Sequence, residues 1–331
     1  MADLSKTFIE FNDAILLSPD KKKELRQEKN EIREEIKAYF KEKRDKHTVS
    51  FKGQGSIPMN TCIEPNSGEY DLDEGVYIFG KEEDKPAATS TVHTWICEAL
   101  SKREIKDKNT CVRVNCSAEF HVDLPIYYKT EKRDDQYYLD TADVPELAHK
   151  DKGWLNSDPY AFKLWFDEQA KDKPQLKRLV RYLKAWSDNK QHLAMPSGMV
   201  MTILVCKNCV LKDRDDEALL ETLKTIQQNI DDTRYWSATY FCSRPTIDEK
   251  ENLLDKYSAT TRKQNFLTEL NTFIESGTKA IELKSKKDAC SKWQKHLGDR
   301  FPCSAIEEDE ESLAKAFSQH DVLRYDNKSA G

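Results

Sequence analysis

The feature that most constrains this chain is a change in its hydrophobic period. Up to Trp154 the apolar residues recur largely in twos, the spacing of half-buried strands, and beyond it they recur in threes and fours, the spacing of helices. One helix interrupts the first part: Asp20 to Lys46 carries Leu25, Ile32, Ile36, Tyr39 and Phe40 as a single apolar stripe among dense charges. Val49-Ser50-Phe51 reads as a strand, and Gly53, Gly55, Pro58 and Pro65 mark a tight, irregular stretch after it. Glu69 to Phe79 alternates as a strand through Tyr70, Leu72, Val76 and Ile78, Thr91 to Lys102 reads as a helix, and Val112 to Asn115 with Phe120 to Tyr127 reads as a hairpin. A further short strand is expected at Gln136 to Leu139. Helices follow at Leu176 to Asp188, Ser197 to Leu211, Asp215 to Ile230, Arg262 to Leu283, Lys287 to Leu297 and Asp309 to Phe317, with Ser197 and Asp215 placed to cap two of them. The expectation is an α+β chain: a mixed sheet with helices over residues 1–160, a helical domain over 161–320 and a polar, mobile tail over 321–331.

Composition narrows the function classes. Among 331 residues, 53 are Lys or Arg and 59 are Asp or Glu, a net charge of −6, so the chain offers no general attraction to DNA or RNA and any phosphate site must be a local basic pocket. The thirteen Tyr, thirteen Phe and six Trp supply the bulky apolar surface that disordered chains lack. No stretch approaches the roughly 18 apolar residues of a membrane span; Met199 to Leu211 is broken by Lys207 and Asn208. The opening residues lack the order of a signal peptide, and nine cysteines without regular spacing suit a reducing compartment better than a disulfide framework, so a cytoplasmic location is expected.

One constellation carries chemistry. Asp71 and Asp73 alternate with Leu72 in a strand, which puts both carboxylates on one face about 7 Å apart. Asp123 lies between Val122 and Leu124, an apolar setting in which a carboxylate needs a compensating partner. Gln54-Gly55-Ser56 precedes them, offering backbone N–H groups and a hydroxyl to a phosphate at a point where glycine permits close approach. Three carboxylates of this kind can hold a pair of divalent ions for phosphoryl transfer. With 59 acids in 331 residues, acid-x-acid triplets arise roughly ten times by chance, so the pair alone is equally a solvated strand face; the ordered set of Gly-Ser, Asp-x-Asp and isolated Asp is what distinguishes it.

Gln54-Gly55-Ser56, Asp71-Leu72-Asp73-Glu74-Gly75-Val76-Tyr77 and His121-Val122-Asp123-Leu124-Pro125 resemble the signature of the bacterial CD-NTases, the cyclic-oligonucleotide synthases of anti-phage CBASS systems and relatives of animal cyclic GMP-AMP synthase. Trp154-Leu155-Asn156-Ser157-Asp158-Pro159, Trp165-Phe166, Leu183-Lys184-Ala185-Trp186 and Pro196-Ser197 extend the likeness, which is strongest to the DncV-like branch and covers about residues 20 to 300. The resemblance implies a polymerase-β-like nucleotidyltransferase core with a helical domain like that of poly(A) polymerase and oligoadenylate synthase. It implies an enzyme that joins ATP and GTP, or other purine triphosphates, into a cyclic dinucleotide such as cyclic GMP-AMP, with release of pyrophosphate. Asp71, Asp73 and Asp123 are then the catalytic metal ligands for two Mg2+ ions, with Mn2+ as the alternative, and Asp123 is expected to accept the hydroxyl proton. Gln54, Gly55 and Ser56 line the donor nucleotide, Arg113 and Lys184 meet its phosphates, and Ser197 lies near a purine base while also reading as a helix cap. Met59 stands where the DncV-like pattern has a base-stacking aromatic residue. The resemblance also implies a downstream cyclic-nucleotide effector and conjugation of Gly331 by an E1/E2-like partner. A linear oligoadenylate or other template-independent nucleotidyltransferase, and an inactive nucleotide-sensing adaptor, are the competing readings.

Three other patterns read as structural. Cys206-x-x-Cys209 has zinc-like spacing without a second ligand pair and falls in an apolar helix. His121 shares a strand with Asp123 but has no nucleophile to serve. Lys171, Lys173, Lys177, Arg178 and Arg181 read as a solvated helix face.

Overall fold

In a computed structural model of the chain, residues 1–66, 69–80, 87–129, 145–230, 242–247, 252–254 and 261–306 are described. The strand expected at Gln136 to Leu139, the helix at Asp309 to Phe317 and the tail with Gly331 lie outside them. The described residues form two compact units: residues 16–181 with those described between 242 and 254, and residues 1–15, 182–230 and 261–306.

The first unit is a seven-stranded sheet flanked by helices. Helix α2 (Pro19–Lys43) begins at an N-cap, Ser18, whose hydroxyl accepts from the Lys21 N–H at 3.2 Å, with Pro19 already set for the first turn; α1 belongs to the other unit. Strands β1 (Thr48–Gln54), β2 (Tyr70–Phe79), β3 (Ile105–Asp107), β4 (Cys111–Asn115) and β5 (Phe120–Lys129) run in the order β1-β2-β5-β4-β3, and α3 (Thr89–Ala99) separates β2 from β3. β6 (Glu146–His149) pairs with β5 beyond the end of β4, and β7 (Gly153–Asn156) pairs with β6. Among the described residues, only β2 and β5 pair in parallel. The apolar stripe of α2 (Leu25, Ile32, Ile36, Phe40) and Val92 and Ile96 of α3 cover one sheet face, against Leu72, Val76 and Ile78 of β2 and Val122, Leu124 and Ile126 of β5.

One charge is buried in that interface. Glu74 of β2 is 0% exposed, and Arg33 of α2 donates its Nε–H to Oε1 at 2.8 Å. Burial pushes the Glu74 pKa up, and the Arg33 guanidinium pulls the other way.

The second unit is helical: α1 (Ser5–Ala14), the end of α5 (Pro174–Asn189), α6 (Gly198–Asn208), α7 (Asp215–Ile230), α8 (Thr261–Glu282) and α9 (Lys286–Leu297). Phe8 of α1 packs edge-on against Tyr182, Trp293 and Phe301 at 4.9–5.3 Å between ring centroids, and Phe273 of α8 meets Trp186 and Trp293. Asp215 opens α7 with its carboxylate accepting from the Tyr182 hydroxyl at 2.8 Å. Among the described residues, no helix is long and apolar enough to cross a membrane.

The division differs from the expected break at 160/161 in two respects. It falls inside α5, because α4 (Pro159–Ala170) packs on β1 and Arg181 is tied to the Asn60 carbonyl, keeping residues 161–181 with the sheet. Residues 1–15 join the helical unit, where the Ala2 N–H donates to the Leu283 carbonyl at 2.7 Å. The reading of all nine cysteines as thiols is also corrected. Cys290 and Cys303 form a disulfide that ties α9 to the short 3-10 turn after it, and the other seven are not disulfide-bonded.

Arg33→Met leaves the Glu74 carboxylate buried without its counter-ion, and should lower unfolding stability by about 3 kcal/mol in urea titrations. Arg33→Met with Glu74→Gln should recover at least about half of that loss, because the buried charge is gone.

Candidate active site

The acidic side chains meet because of the β2–β5 register. Asp71 lies beside His121 and Asp73 beside Asp123. Parallel neighbours share a face, and the alternation that sends Leu72 and Val122 to the helices sends these four residues to the opposite side of the sheet. β4 then adds a cation. Arg113 stands directly across from Asp123, donating Nε–H to Oδ1 at 2.7 Å and Nη2–H to Oδ2 at 2.8 Å, while Lys108 Nζ lies 3.6 Å from Oδ2. Burial acts to raise the Asp123 pKa, but the Arg113 hydrogen bonds and charge, with Lys108 and His121 behind them, hold it below the ordinary 3.8. The Asp123 hydrogen bonds push Arg113 further up.

Asp71, His121 and Asp123 place one donor atom each within 4.8 Å of one another, the group among the described residues that fits a metal ion. His121 Nδ1 is 3.0 Å from Glu69 Oε2. Two carboxylates and an imidazole suit a divalent cation. Asp73 is not part of this trio: its carboxylate lies against Gly55.

Gly55 has φ +72°, a left-handed conformation, and a Cβ there would overlap the Asp73 carboxylate. The Gln54-Gly55-Ser56 segment thus leaves β1 through a turn that touches Asp73 of β2. The turn closes on itself through Thr61 N–H to the Ser56 carbonyl and Asn60 N–H to the Ile57 carbonyl, both 2.9 Å. Gln54 is buried, and its Oε1 accepts from the Tyr127 hydroxyl at 3.3 Å. Beneath it, a Cβ on Gly75 would come within 2.9 Å of Gln54 Oε1 and of the Tyr77 ring. Met59 is 5% exposed, so the residue in the base-stacking position is packed inward.

Arg181 corrects the expected solvated face. It is 6% exposed, and Nε and Nη2 both donate to the Asn60 carbonyl, at 3.2 and 2.8 Å, bracing the turn from α5. Asn60 itself has φ +54°. The sequence holds no local signal for this: Arg181 sits at helical spacing among other basic residues, and only the fold brings Asn60 to it. Lys171 and Lys173 remain exposed.

In the helical unit, Lys184 and Ser197 come together. The Lys184 stem lies against Gly198, its Cε 3.3 Å from where a Cβ would be, at the start of α6. Ser197 occupies the N-cap position, but its side chain makes no capping hydrogen bond. Cys206 is buried in α6, as expected of a core cysteine.

The family model for the nucleotidyltransferase domain of DncV-like cyclic GMP-AMP synthases matches residues 49–127, the stretch that holds Gln54, Asp71, Asp73, Arg113 and Asp123. A cyclic GMP-AMP synthase of Escherichia albertii is 32% identical, over 62% of this chain and 47% of that protein. The chain therefore spans about half the length of that relative. The cyclic GMP-AMP synthase of Vibrio cholerae is 24% identical, over 78% of this chain and 69% of its own. The crystal structure of Vibrio cholerae DncV with a linear pppApG intermediate superposes with a TM-score of 0.77 at 18% identity, covering 90% of this chain and 96% of that one. Its complex with GTP and 5MTHFGLU2 also gives 0.77, at 18% identity, over 90% and 97%. Residues 49–127 are thus similar to the nucleotidyltransferase domain of DncV-like synthases, and the described residues share the fold of Vibrio cholerae DncV.

Gly55→Ala should cost about 1–2 kcal/mol in backbone conformation and displace Asp73, lowering nucleotidyl transfer about a hundredfold. Arg181→Met should raise proteolytic cleavage within residues 55–62 and lower kcat more than it raises KM, measured by limited proteolysis and steady-state kinetics.

Proposed function

We propose that this chain is a DncV-type nucleotidyltransferase that joins two purine nucleoside triphosphates, ATP and GTP among them, into a cyclic dinucleotide and releases pyrophosphate. The observation that carries the reading is the convergence of Asp71, Asp73 and Asp123 on one sheet face beside the Gly55-Ser56 turn. A ribose hydroxyl of the acceptor attacks the donor α-phosphate, and a second round on the turned intermediate closes the ring.

The chain's own residues contribute position and charge. Gln54, held by Tyr127, and Ser56 orient the donor at the turn, and Gly55 lets its backbone approach the triphosphate. Lys184, with Ser197 beside it, is assigned to the donor phosphates and base. Asp71, Asp73 and Asp123 would hold Mg2+, or Mn2+ in its place, and the donor set fits such ions. When bound, the ions supply neutralisation of the triphosphate and activation of the attacking oxygen. Arg113 is engaged by Asp123 in this geometry, so its assigned phosphate contact is made with the donors it has left. Asp123, with each oxygen already accepting from Arg113, is a weaker base than a free carboxylate, and we assign it to charge holding rather than proton uptake. The product would act as a second messenger for an effector in anti-phage signalling, as the family resemblance implies; conjugation of Gly331 rests on that resemblance alone.

Incubation with labelled ATP and GTP and Mg2+ should give a phosphatase-resistant product, lost by at least about a thousandfold in Asp71→Asn and Asp73→Asn. A ladder of phosphatase-sensitive products would assign the chain to linear synthesis instead, and no product with any purine triphosphate would support the adaptor reading.

A further inference from the structure

The acidic cluster alone does not define the ion it would take. His121 adds the missing constraint. It is 5% exposed, on β5, beside Asp71 in the parallel register and two residues before Asp123. Its Nδ1 lies 3.0 Å from Glu69 Oε2, and a carboxylate can only accept, so in the neutral ring Nδ1 carries the proton and Nε2 the lone pair. Nε2 is buried and has no hydrogen-bond partner among the described residues. A buried acceptor left unmade costs about 1–3 kcal/mol. A metal ion shared by the imidazole and the two carboxylates would satisfy it.

The donor spacing allows a single ion to be that partner. Asp71, His121 and Asp123 each offer an atom within 4.8 Å of the others. Ligands about 2.1 Å from a shared ion lie about 3 Å apart when adjacent and about 4.2 Å when opposite, so only small side-chain movement is needed. Asp123 is not closed to an ion by Arg113, because each of its oxygens retains a second lone pair. The Glu69 carboxylate behind the imidazole is the arrangement that orients metal-bound histidines.

We propose that His121 is a ligand of this site through Nε2, oriented by Glu69, and that it makes the site prefer a nitrogen-accepting transition ion such as Mn2+ over Mg2+. Imidazole suits first-row transition ions, whereas Mg2+ favours oxygen ligands and its own waters. The inference deepens the proposed reaction only in its metal: it requires that a divalent ion bind at these carboxylates, and it names a ligand beyond them.

The test uses the full-length chain and Mn2+ itself, titrated by electron paramagnetic resonance with and without a non-hydrolysable purine triphosphate. Pulsed spectra should show a directly bonded nitrogen, and labelling the protein with 15N-histidine should change its nuclear signature, which separates the imidazole from a purine nitrogen. His121→Asn keeps an amide donor for Glu69 while removing Nε2. It should lose the nitrogen signal and weaken Mn2+ binding about tenfold, with Mg2+ binding, read by competition, changed by less than about threefold. Glu69→Gln should weaken Mn2+ binding while keeping the nitrogen signal. Circular dichroism and urea midpoints confirm that each variant is folded.

Mn2+ bound without a histidine nitrogen, or His121→Asn matching the unsubstituted chain for both ions, overturns the inference. If Asp71→Asn still abolishes Mn2+ binding in that case, the proposed reaction stands without it. A chain that binds neither ion in the presence of nucleotide overturns both.

Discussion

The parallel pairing of β2 with β5 is the constraint on which the rest of this site depends. It sets Asp73 beside Asp123 and Asp71 beside His121, and a slip of one residue would turn either Asp71 and Asp73 or His121 and Asp123 into the helix-covered core. The register is itself fixed by Leu72, Val76, Ile78, Val122, Leu124 and Ile126, which fill that core on the other face. The pairing also has a cost. Two carboxylates about 5 Å apart repel by about 3 kcal/mol at an effective dielectric constant of 20, and the site offsets this with Arg113 and Lys108 rather than by protonation, since Asp123 is held below its ordinary pKa. Arg113 and Lys108 thus place two cations beside the acidic residues of a net negative chain.

Residues with a period were legible, and residues that depend on distant partners were not. The alternation of Tyr70, Leu72, Val76 and Ile78 identified β2, the stripe of α2 was readable from Leu25 to Phe40, and the β4–β5 hairpin was placed correctly. Alternation put Asp71 and Asp73 on one face, Asp123 was marked by its apolar neighbours, and the β2–β5 register sets all three together. By contrast, α1 offers only Phe8 and Phe11 as fully buried rings on a short helix, and its place beside Tyr182 and Phe301 is set by contacts nearly the whole chain apart. Arg181 shares its pattern with exposed lysines, and the Cys290–Cys303 bond depends on how the chain turns back after α9. His121 was discounted because no nucleophile accompanies it; its meaning lies in which ring nitrogen has a partner, and sequence carries no record of that.

Strand β2 also shows why its sequence departs from a simple apolar strand. One face carries Asp71 and Asp73, the other carries Glu74, and Gly75 follows at once. Glu74 joins the strand to α2 through Arg33, so the element that positions the acidic face is anchored from behind by an ion pair. Gly75 leaves room for the Gln54 carboxamide and the stacked Tyr77 and Tyr127 rings, 4.7 Å between centroids. The four consecutive residues Leu72 to Gly75 thus each answer a different neighbour, and substitution at any of them acts on a separate part of the site.

The inward packing of Met59 bears on base choice. A base-stacking aromatic contributes about 1–3 kcal/mol through a face that any base can use, and a buried Met59 presents no such face to a nucleotide. In the proposed reaction, selection then rests on hydrogen-bonding edges. Gln54 has its oxygen engaged by the Tyr127 hydroxyl, which leaves its amide N–H groups as its donors. Such an arrangement distinguishes ligands by where they carry acceptors, a sharper criterion than stacking, because a mismatched base leaves a buried donor without its partner.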